Sequence, residues 1–329
     1  MDTIAVTGPE YDKARDVFTH ETPLGLRCLY APVEEGELSR FIRENGAHHA
    51  IVGTVPYRDE LYEALGEGSV LVRFGVGHDS IDKAKVESRG ILCANTPDVL
   101  EDSVAEHAML LMLAASRNLC EMASGMRDGR WDVSMGGEVR GKRLAIIGCG
   151  RIGGRVALIA SRGFGMEVVT YDTRALCIDE VNEKYGVREV MPSFRAAVEE
   201  AAFVSLHIPA KLENNGYINA QTLGFMRKDA WLVNTSRGSI IDEGALFDAL
   251  SQEQLAGAAL DVFQVEPYQP QDTQKDLRSL SRVLLSPHVG SSTREACARV
   301  ARRALRNIEL ARKGDYEAMD LVSATRAEQ

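Results

Sequence analysis

The sequence predicts an α/β protein made of two doubly wound, parallel-sheet domains. Three observations carry that prediction. Apolar runs alternate with charged, helically periodic stretches through the first hundred residues. A strand, a glycine loop and a helix follow one another from Arg143. Further apolar runs recur at intervals through the second half. At 329 residues the chain is long enough for two cores.

Taken in order, residues 3–7, 26–30, 50–54, 70–74 and 91–94 read as strands, several of them continuously apolar, as in a sheet covered on both faces. Residues 34–44, 58–65 and 80–88 read as the intervening helices. Asn95-Thr96-Pro97-Asp98 marks a break between domains. One apolar helix is expected over 103–126, with Ser103 and Glu106 spaced as a capping box unless Glu101 or Asp102 begins it earlier. Met109 to Leu113 leave it no clean polar face, so it should be buried all round, within a domain or across a subunit contact. His107 on it reads as a structural histidine. Later strands are expected at 203–208, 230–234, 257–262 and 283–286, with helices at 242–251 and 294–313 and a polar tail.

The unit at Arg143 is the most specific local signal. The run Arg143 to Ile147 ends in Gly148-Cys149-Gly150-Arg151-Ile152-Gly153, and a helical pattern follows over 155–164. Gly148 permits the tight turn, Gly150 lets backbone approach a pyrophosphate, and Gly153 lets helix and strand pack closely. The helix start offers free N–H groups and a positive dipole end to phosphate. A second strand, 166–171, ends at Asp172, about twenty residues on, where a carboxylate can accept both ribose hydroxyls and repel a ribose phosphate. These features predict NAD binding in preference to NADP. Arg174 nearby weakens the preference, since arginine can accept that phosphate.

The net charge of -10 argues against nucleic acid and anionic membranes as main partners. Arg299, Arg302, Arg303 and Arg306 read as a solvated helix face. Six cysteines without C-x-x-C spacing or a metal-ligand pattern fit reduced thiols in a cytoplasmic protein, and no metal is expected. Cys149 reads as a small loop filler. The chain shows no leader pattern and no apolar run of membrane length.

Three segments fall at the ends of predicted strands: Asn234 to Gly238, Asp261 to Pro267, and Ser286 to Gly290. In a doubly wound sheet ligands bind beyond those ends, so the three should converge. Arg237 there can grip a carboxylate and polarise a carbonyl. His288 can protonate a developing alkoxide. Glu266 beside it would fix the ring and support its positive charge. Gly75-Val76-Gly77 after the fourth strand can form an anion-binding nest, though an ordinary turn explains it equally well.

These segments, with Ser103-Val104-Ala105-Glu106 and Arg127 through Trp131, resemble the D-2-hydroxyacid dehydrogenase family over nearly the whole chain. The resemblance implies a Rossmann-type NAD domain and a smaller flavodoxin-like substrate domain. The substrate domain would span residues 1–99, the dinucleotide domain 100–290, and residues 291–329 would return to the first. It implies that Arg237 binds substrate, Glu266 supports the histidine and His288 is the general acid/base. Substrate carboxylate would be held by the backbone at Val76 and Gly77. Cofactor contacts would come from Gly148, Gly150, Arg151, Ile152, Gly153, Asp172, His207, Pro209 and Thr235, with Asp261 on the nicotinamide carboxamide. The reaction would exchange a hydride between NAD and a small 2-hydroxy or 2-keto acid, in a homodimer formed through the NAD domain. A dinucleotide-sensing corepressor-like protein is the alternative. Arg73 before the glycine turn resembles the phosphoglycerate and corepressor-like branches. Gly53 stands near where phosphoglycerate enzymes often carry an arginine, for which Arg58 could substitute. His78 has no assigned role.

Overall fold

The computed structural model describes residues 1–322; the end of the polar tail lies outside them. The described chain forms two compact units, one of Met1–Leu100 with the segment from Ser291 onward, the other of Glu101–Gly290.

The first unit contains β1 (Asp2–Thr7), β2 (Leu26–Ala31), β3 (Ala47–Val52), β4 (Val70–Arg73) and β5 (Leu92–Ala94). All pair in parallel in the order β2-β1-β3-β4-β5, the flavodoxin-like winding. Near the C-terminus, Leu321 adds an antiparallel bridge to Ala94. β3 starts three residues before its expected start because His49 behaves as a core residue. Its Nδ1 accepts the Val70 N–H at 3.1 Å, and burial pushes its pKa down to about 4, so the ring stays neutral at pH 7.

Helices α1 (Gly8–Lys13) and α2 (Arg15–His20) were not expected, since each spans only six residues. Helix α3 (Glu35–Asn45) is capped by the Glu34 carboxylate on Glu37 N–H and ends at Gly46 in the left-handed region, φ 59°. It buries Leu38 and Ile42. Helix α4 (Glu60–Leu65) begins late because the N–H groups of Arg58 and Asp59 bond to Glu35 instead. Helix α5 (Lys83–Ser88) begins late too, because Asp82 is its cap and accepts from Lys85 N–H.

In the second unit the expected long helix is two. Helix α6 (Glu101–Ser116) stops, Asn118 turns left-handed at φ 50°, and α7 (Leu119–Arg127) follows. Asn tolerates that conformation, and its amide donates to Ser134 Oγ at 2.8 Å. Ser103 lies inside the first turn of α6, so it is not a cap. Nor is α6 buried all round within the chain. Ala105, Ala108, Met109 and Met112 are buried, while Leu110 is 54% exposed.

The second sheet holds β6 (Arg143–Ile147), β7 (Glu167–Tyr171), β8 (Glu189–Val190), β9 (Phe203–Leu206), β10 (Trp231–Asn234), β11 (Gly257–Leu260) and β12 (Val283–Leu285). Their parallel order is β12-β11-β10-β9-β6-β7-β8, with the chain reversing direction across the sheet between β6 and β9, as in a Rossmann fold. Helix α8 (Arg151–Leu158) starts four residues earlier than its periodicity suggests, directly on the glycine loop, and its last turn widens into a π-turn at Ile159–Gly163. Two apolar clusters sandwich this sheet, one containing Ala145, Ile147, Val204 and Leu260, the other Ile146, Val168, Met112 and Ala157.

The arginines of the last helix, Arg294–Arg312, are more structural than expected. Arg302 forks onto Glu21, Arg303 onto Asp320, and Arg299 donates to the Val99 carbonyl. Among the described residues no helix is long and apolar enough to cross a membrane, and all six cysteines are free thiols.

Candidate active site

The glycine loop leaves β6 at Gly148, whose φ is 92° and whose missing Cβ would press on the His207 carbonyl at 2.7 Å. A Cβ at Gly153 would collide with the Gly148 carbonyl, which fixes the close approach of α8 to the turn. At Gly150 an added Cβ would meet open space. That is the fit a pyrophosphate needs: two glycines required by packing, and one facing an open surface at a helix start. Arg151 and Ile152 form the first turn of that helix. Thr235, after β10, is buried, and its hydroxyl has no hydrogen-bond partner, as befits a group that waits for a ligand atom. His207 is the next residue after β9. Its Nε2 lies 2.8 Å from Ser205 Oγ, and burial pushes its pKa to about 4, so the ring is neutral at pH 7. Pro209 is an exposed loop residue two positions on. Buried Cys149 is a loop filler, its thiol pushed up by burial.

Asp172 sits at the end of β7 with 7% of its side chain exposed. Oδ2 accepts from Cys149 N–H at 2.9 Å and from Arg174 Nη2 at 2.9 Å. Oδ1 accepts from Arg174 N–H at 2.9 Å and Arg174 Nε at 3.1 Å. Burial alone would raise the Asp172 carboxyl, but the Arg174 contacts and the Cys149 N–H outweigh it and hold the group below the usual range.

The three strand-end segments meet in this unit. His288 Nδ1 and Glu266 Oε2 are 2.6 Å apart. Glu266 Oε1 accepts from the Phe263 N–H at 3.1 Å, so both oxygens are committed and the carboxylate cannot rotate freely. The Glu266-Pro267 peptide is cis. Arg237 lies in the turn after β10, where Asn234 Nδ2 donates to its carbonyl and its own Nη1 donates to the Ser236 carbonyl. Next to it, a Cβ at Gly238 would collide with the Phe263 backbone, so the Arg237 turn and the Glu266 loop touch.

His288 is one of four non-glycine residues at positive φ among those described, at 52°. That conformation costs energy and needs an external hold. Asp261 supplies it. Its carboxylate is 1% exposed and accepts from Ser286 Oγ at 2.6 Å, Val289 N–H at 2.9 Å and Gly290 N–H at 2.8 Å. Its carbonyl accepts the His288 N–H at 2.8 Å. His107 Nε2 lies 3.3 Å from Asp261 Oδ1 and 3.0 Å from Ser286 Oγ. Burial would raise the Asp261 carboxyl, yet these contacts outweigh it and hold the group charged below the usual range. The structure thus gives Asp261 a part the sequence did not suggest, that of gripping the histidine loop. Glu243 is a second residue the sequence reading missed. It is buried, its carboxylate accepts the Gln264 N–H at 2.7 Å, and burial raises its pKa.

In the first unit, Asn95 Nδ2 donates to the Val76 carbonyl at 2.7 Å and Thr96 N–H to the Gly75 carbonyl, which orders the Val76-Gly77 turn. Gly53 faces buried Glu10. Its Cβ would collide with the Glu10 carboxylate, which also accepts from Thr7 Oγ1. A carboxylate therefore lies at the β1/β3 switch point.

The comparisons with known proteins agree with this geometry. Residues 109–290 match the model of the D-isomer specific 2-hydroxyacid dehydrogenase, NAD binding domain. The chain is 37% identical to a glyoxylate reductase of Korarchaeum cryptofilum, over 80% of this chain and 78% of that one. It is also 37% identical to a D-3-phosphoglycerate dehydrogenase of Methanocaldococcus jannaschii, over 90% of this chain and 55% of the relative. The chain belongs to the D-isomer-specific 2-hydroxyacid dehydrogenase family. A solved structure of a putative member from Polaromonas sp. JS6 66 superposes with a TM-score of 0.83 at 28% identity, covering 98% of this chain and 100% of that one. The protein is an NAD-dependent oxidoreductase of hydroxy acids, and the corepressor-like alternative is not favoured.

Proposed function

We propose that this dehydrogenase reduces a small, unphosphorylated 2-keto acid of the glyoxylate or hydroxypyruvate class to the D-2-hydroxy acid. The pairing of His288 with a fully committed Glu266 carboxylate carries the reading. Bound NADH supplies the hydride. Arg237 grips the substrate and polarises its carbonyl, and His288 hands a proton to the oxygen as the alkoxide forms. Glu266 holds the ring through Nδ1, which leaves Nε2 for the substrate. Substrate carboxylate is taken by backbone N–H groups at Val76 and Gly77.

Glu10 at the switch point of the first sheet supports an unphosphorylated substrate, since a dianionic phosphate there would face a buried carboxylate. Steady-state NADH oxidation over glyoxylate, hydroxypyruvate, pyruvate and phosphohydroxypyruvate tests the reading. Turnover is expected, with hydroxypyruvate preferred to its phosphorylated form by about tenfold or more in kcat/KM. Tight NADH binding with no turnover of any of the four would refute it.

The same reading includes a homodimer formed through the NAD-binding unit. Leu110, Leu119, Met126, Trp131, Val133 and Met135 are exposed there, Trp131 by 80% and Met135 by 93%, a density of apolar surface that favours a partner. Light scattering is expected to give twice the chain mass, and Trp131→Glu to shift it toward the monomer. A monomeric wild type would exclude the contact. Free thiols and an acidic surface fit a reducing cytoplasm and no nucleic-acid partner.

A further inference from the structure

We propose that residues 319–322 act as a strap on the substrate-carboxylate seat, and that Asp320 and Asn307 are positioning residues for substrate binding. The proposal rests on the reading that backbone N–H groups at Val76 and Gly77 take the carboxylate.

The seat is aimed by its carbonyls. In a trans peptide the C=O and N–H point in opposite directions, so holding one sets the other. Thr96 N–H donates to the Gly75 carbonyl at 3.1 Å, and Asn95 Nδ2 donates to the Val76 carbonyl at 2.7 Å. The first bond orients the Gly75-Val76 peptide, and with it the Val76 N–H. The second orients the Val76-Gly77 peptide, and with it the Gly77 N–H. Neither of these N–H groups donates to a backbone carbonyl among the described residues, and both residues are only partly buried. Two neighbouring donors therefore point away from Asn95 and Thr96, open to an anion.

Asn95 is itself held from both sides of its backbone. Its N–H donates to the Asp320 carbonyl at 3.2 Å, and its carbonyl accepts from Asn307 Nδ2 at 3.1 Å. Asn307 lies on the last helix and is buried. Its Oδ1 accepts the Asp320 N–H at 2.8 Å, and its Nδ2 also donates to Asp320 Oδ2 at 3.0 Å. Arg303 forks onto the same carboxylate, Nε to Oδ2 and Nη2 to Oδ1, both at 2.6 Å. Around Asp320, Met319 is buried, Leu321 bridges to Ala94, and Val322 N–H donates to the Cys93 carbonyl at 2.8 Å. The strap thus lies along the edge of β5, one residue before the pair that aims the seat. A buried polar network that loses one member does not keep its geometry, so removing the Asp320 carboxylate releases Asn307 and, through it, Asn95. Substrate carboxylate is bound alike in the ground state and the transition state. A misaimed seat therefore weakens substrate binding and spares the chemical step.

The test is steady-state reduction of hydroxypyruvate and of glyoxylate by wild type, Asp320→Ala, Asp320→Asn and Gly77→Pro. The Kd for NADH and thermal unfolding are measured on each, so that kinetics are read on folded protein. In Asp320→Ala, KM should rise by about fivefold for both keto acids, because the carboxylate is what they share. Its kcat should stay within about twofold of wild type. The Kd for NADH should not change, since the NAD-binding domain belongs to the other unit. Asp320→Asn keeps an oxygen for Asn307 Nδ2 and should recover most of the loss. Gly77→Pro deletes a donor of the seat itself, and KM there should rise by about tenfold. A raised KM in Gly77→Pro beside a wild-type KM in Asp320→Ala would overturn the strap and leave the seat standing. An unchanged KM in Gly77→Pro would remove the seat, and the strap with it. A defect in Asp320→Ala that extended to NADH binding, or that Asp320→Asn shared in full, would overturn the proposal by making Asp320 a residue of fold stability alone.

Discussion

Replacing His288 by alanine is expected to lower kcat for keto-acid reduction by about a thousandfold, in the range attributed to a positioned general acid. The Kd for NADH should change little. The lost interaction is made to the reacting oxygen and strengthens only as negative charge develops there, so the deficit belongs to the transition state. Glu266→Gln should give a smaller loss in kcat. It keeps a group of the same size against Nδ1 but removes the charge that stabilises the histidine before it gives up its proton. Reduction consumes a proton at His288 and oxidation returns one. The two directions should therefore respond oppositely to pH, provided that chemistry limits the rate. Near-normal reduction by His288→Ala in steady-state assays would remove the histidine from the reaction.

The second large effect is expected at Asp261, in stability as well as turnover. Asp261→Ala deletes an acceptor that serves Ser286, Val289 and Gly290 and lies 3.3 Å from His107. Buried donors left without a partner cost roughly 3–5 kcal/mol together. Thermal unfolding should shift down by about 10 °C. Because the loop holds His288 at φ 52°, activity should fall beyond what lost folded protein explains. The effect has a pH signature. The folded-state pKa of Asp261 lies below its ordinary value of 3.8, so its stabilising contribution is present above that ordinary value. It is lost as pH falls through the depressed folded value. The gap in stability between wild type and Asp261→Ala should therefore be widest near neutrality and close in strong acid. A gap that widened in acid, or a variant as stable as wild type at pH 7, would mean that Asp261 does not carry the loop.

The sequence was informative where function is local. Gly148, Gly150 and Gly153 fall within one turn: Gly148 is required by its positive φ, Gly153 by the Gly148 carbonyl five residues away, and Gly150 faces open space. The pairing of Glu266 with His288 was legible only through the family resemblance and the rule that ligands sit at strand ends. What the sequence hid is tertiary. Asp261 reads as a residue aimed at the cofactor, and nothing local indicated that its carboxylate also orders a loop, through Ser286, Val289 and Gly290 25–29 residues on. His107 was correctly read as structural, yet nothing local indicated Ser286 and Asp261 as its neighbours. The break at Asn118 carries no glycine or proline, so a helical periodicity runs through it unmarked. The strand at Ala47–Val52 was placed late because two histidines look polar in sequence, while one of them is a buried acceptor.

The most direct test of hydride transfer at this site is the configuration and yield of the product. Wild-type protein would be mixed with NADH and hydroxypyruvate, and the glycerate formed would be counted against NADH consumed and resolved by chiral chromatography. One D-glycerate per NADH oxidised is the expected result. L-glycerate, or NADH bound but left unoxidised, would contradict the assignment of Arg237, Glu266 and His288 as the reducing site.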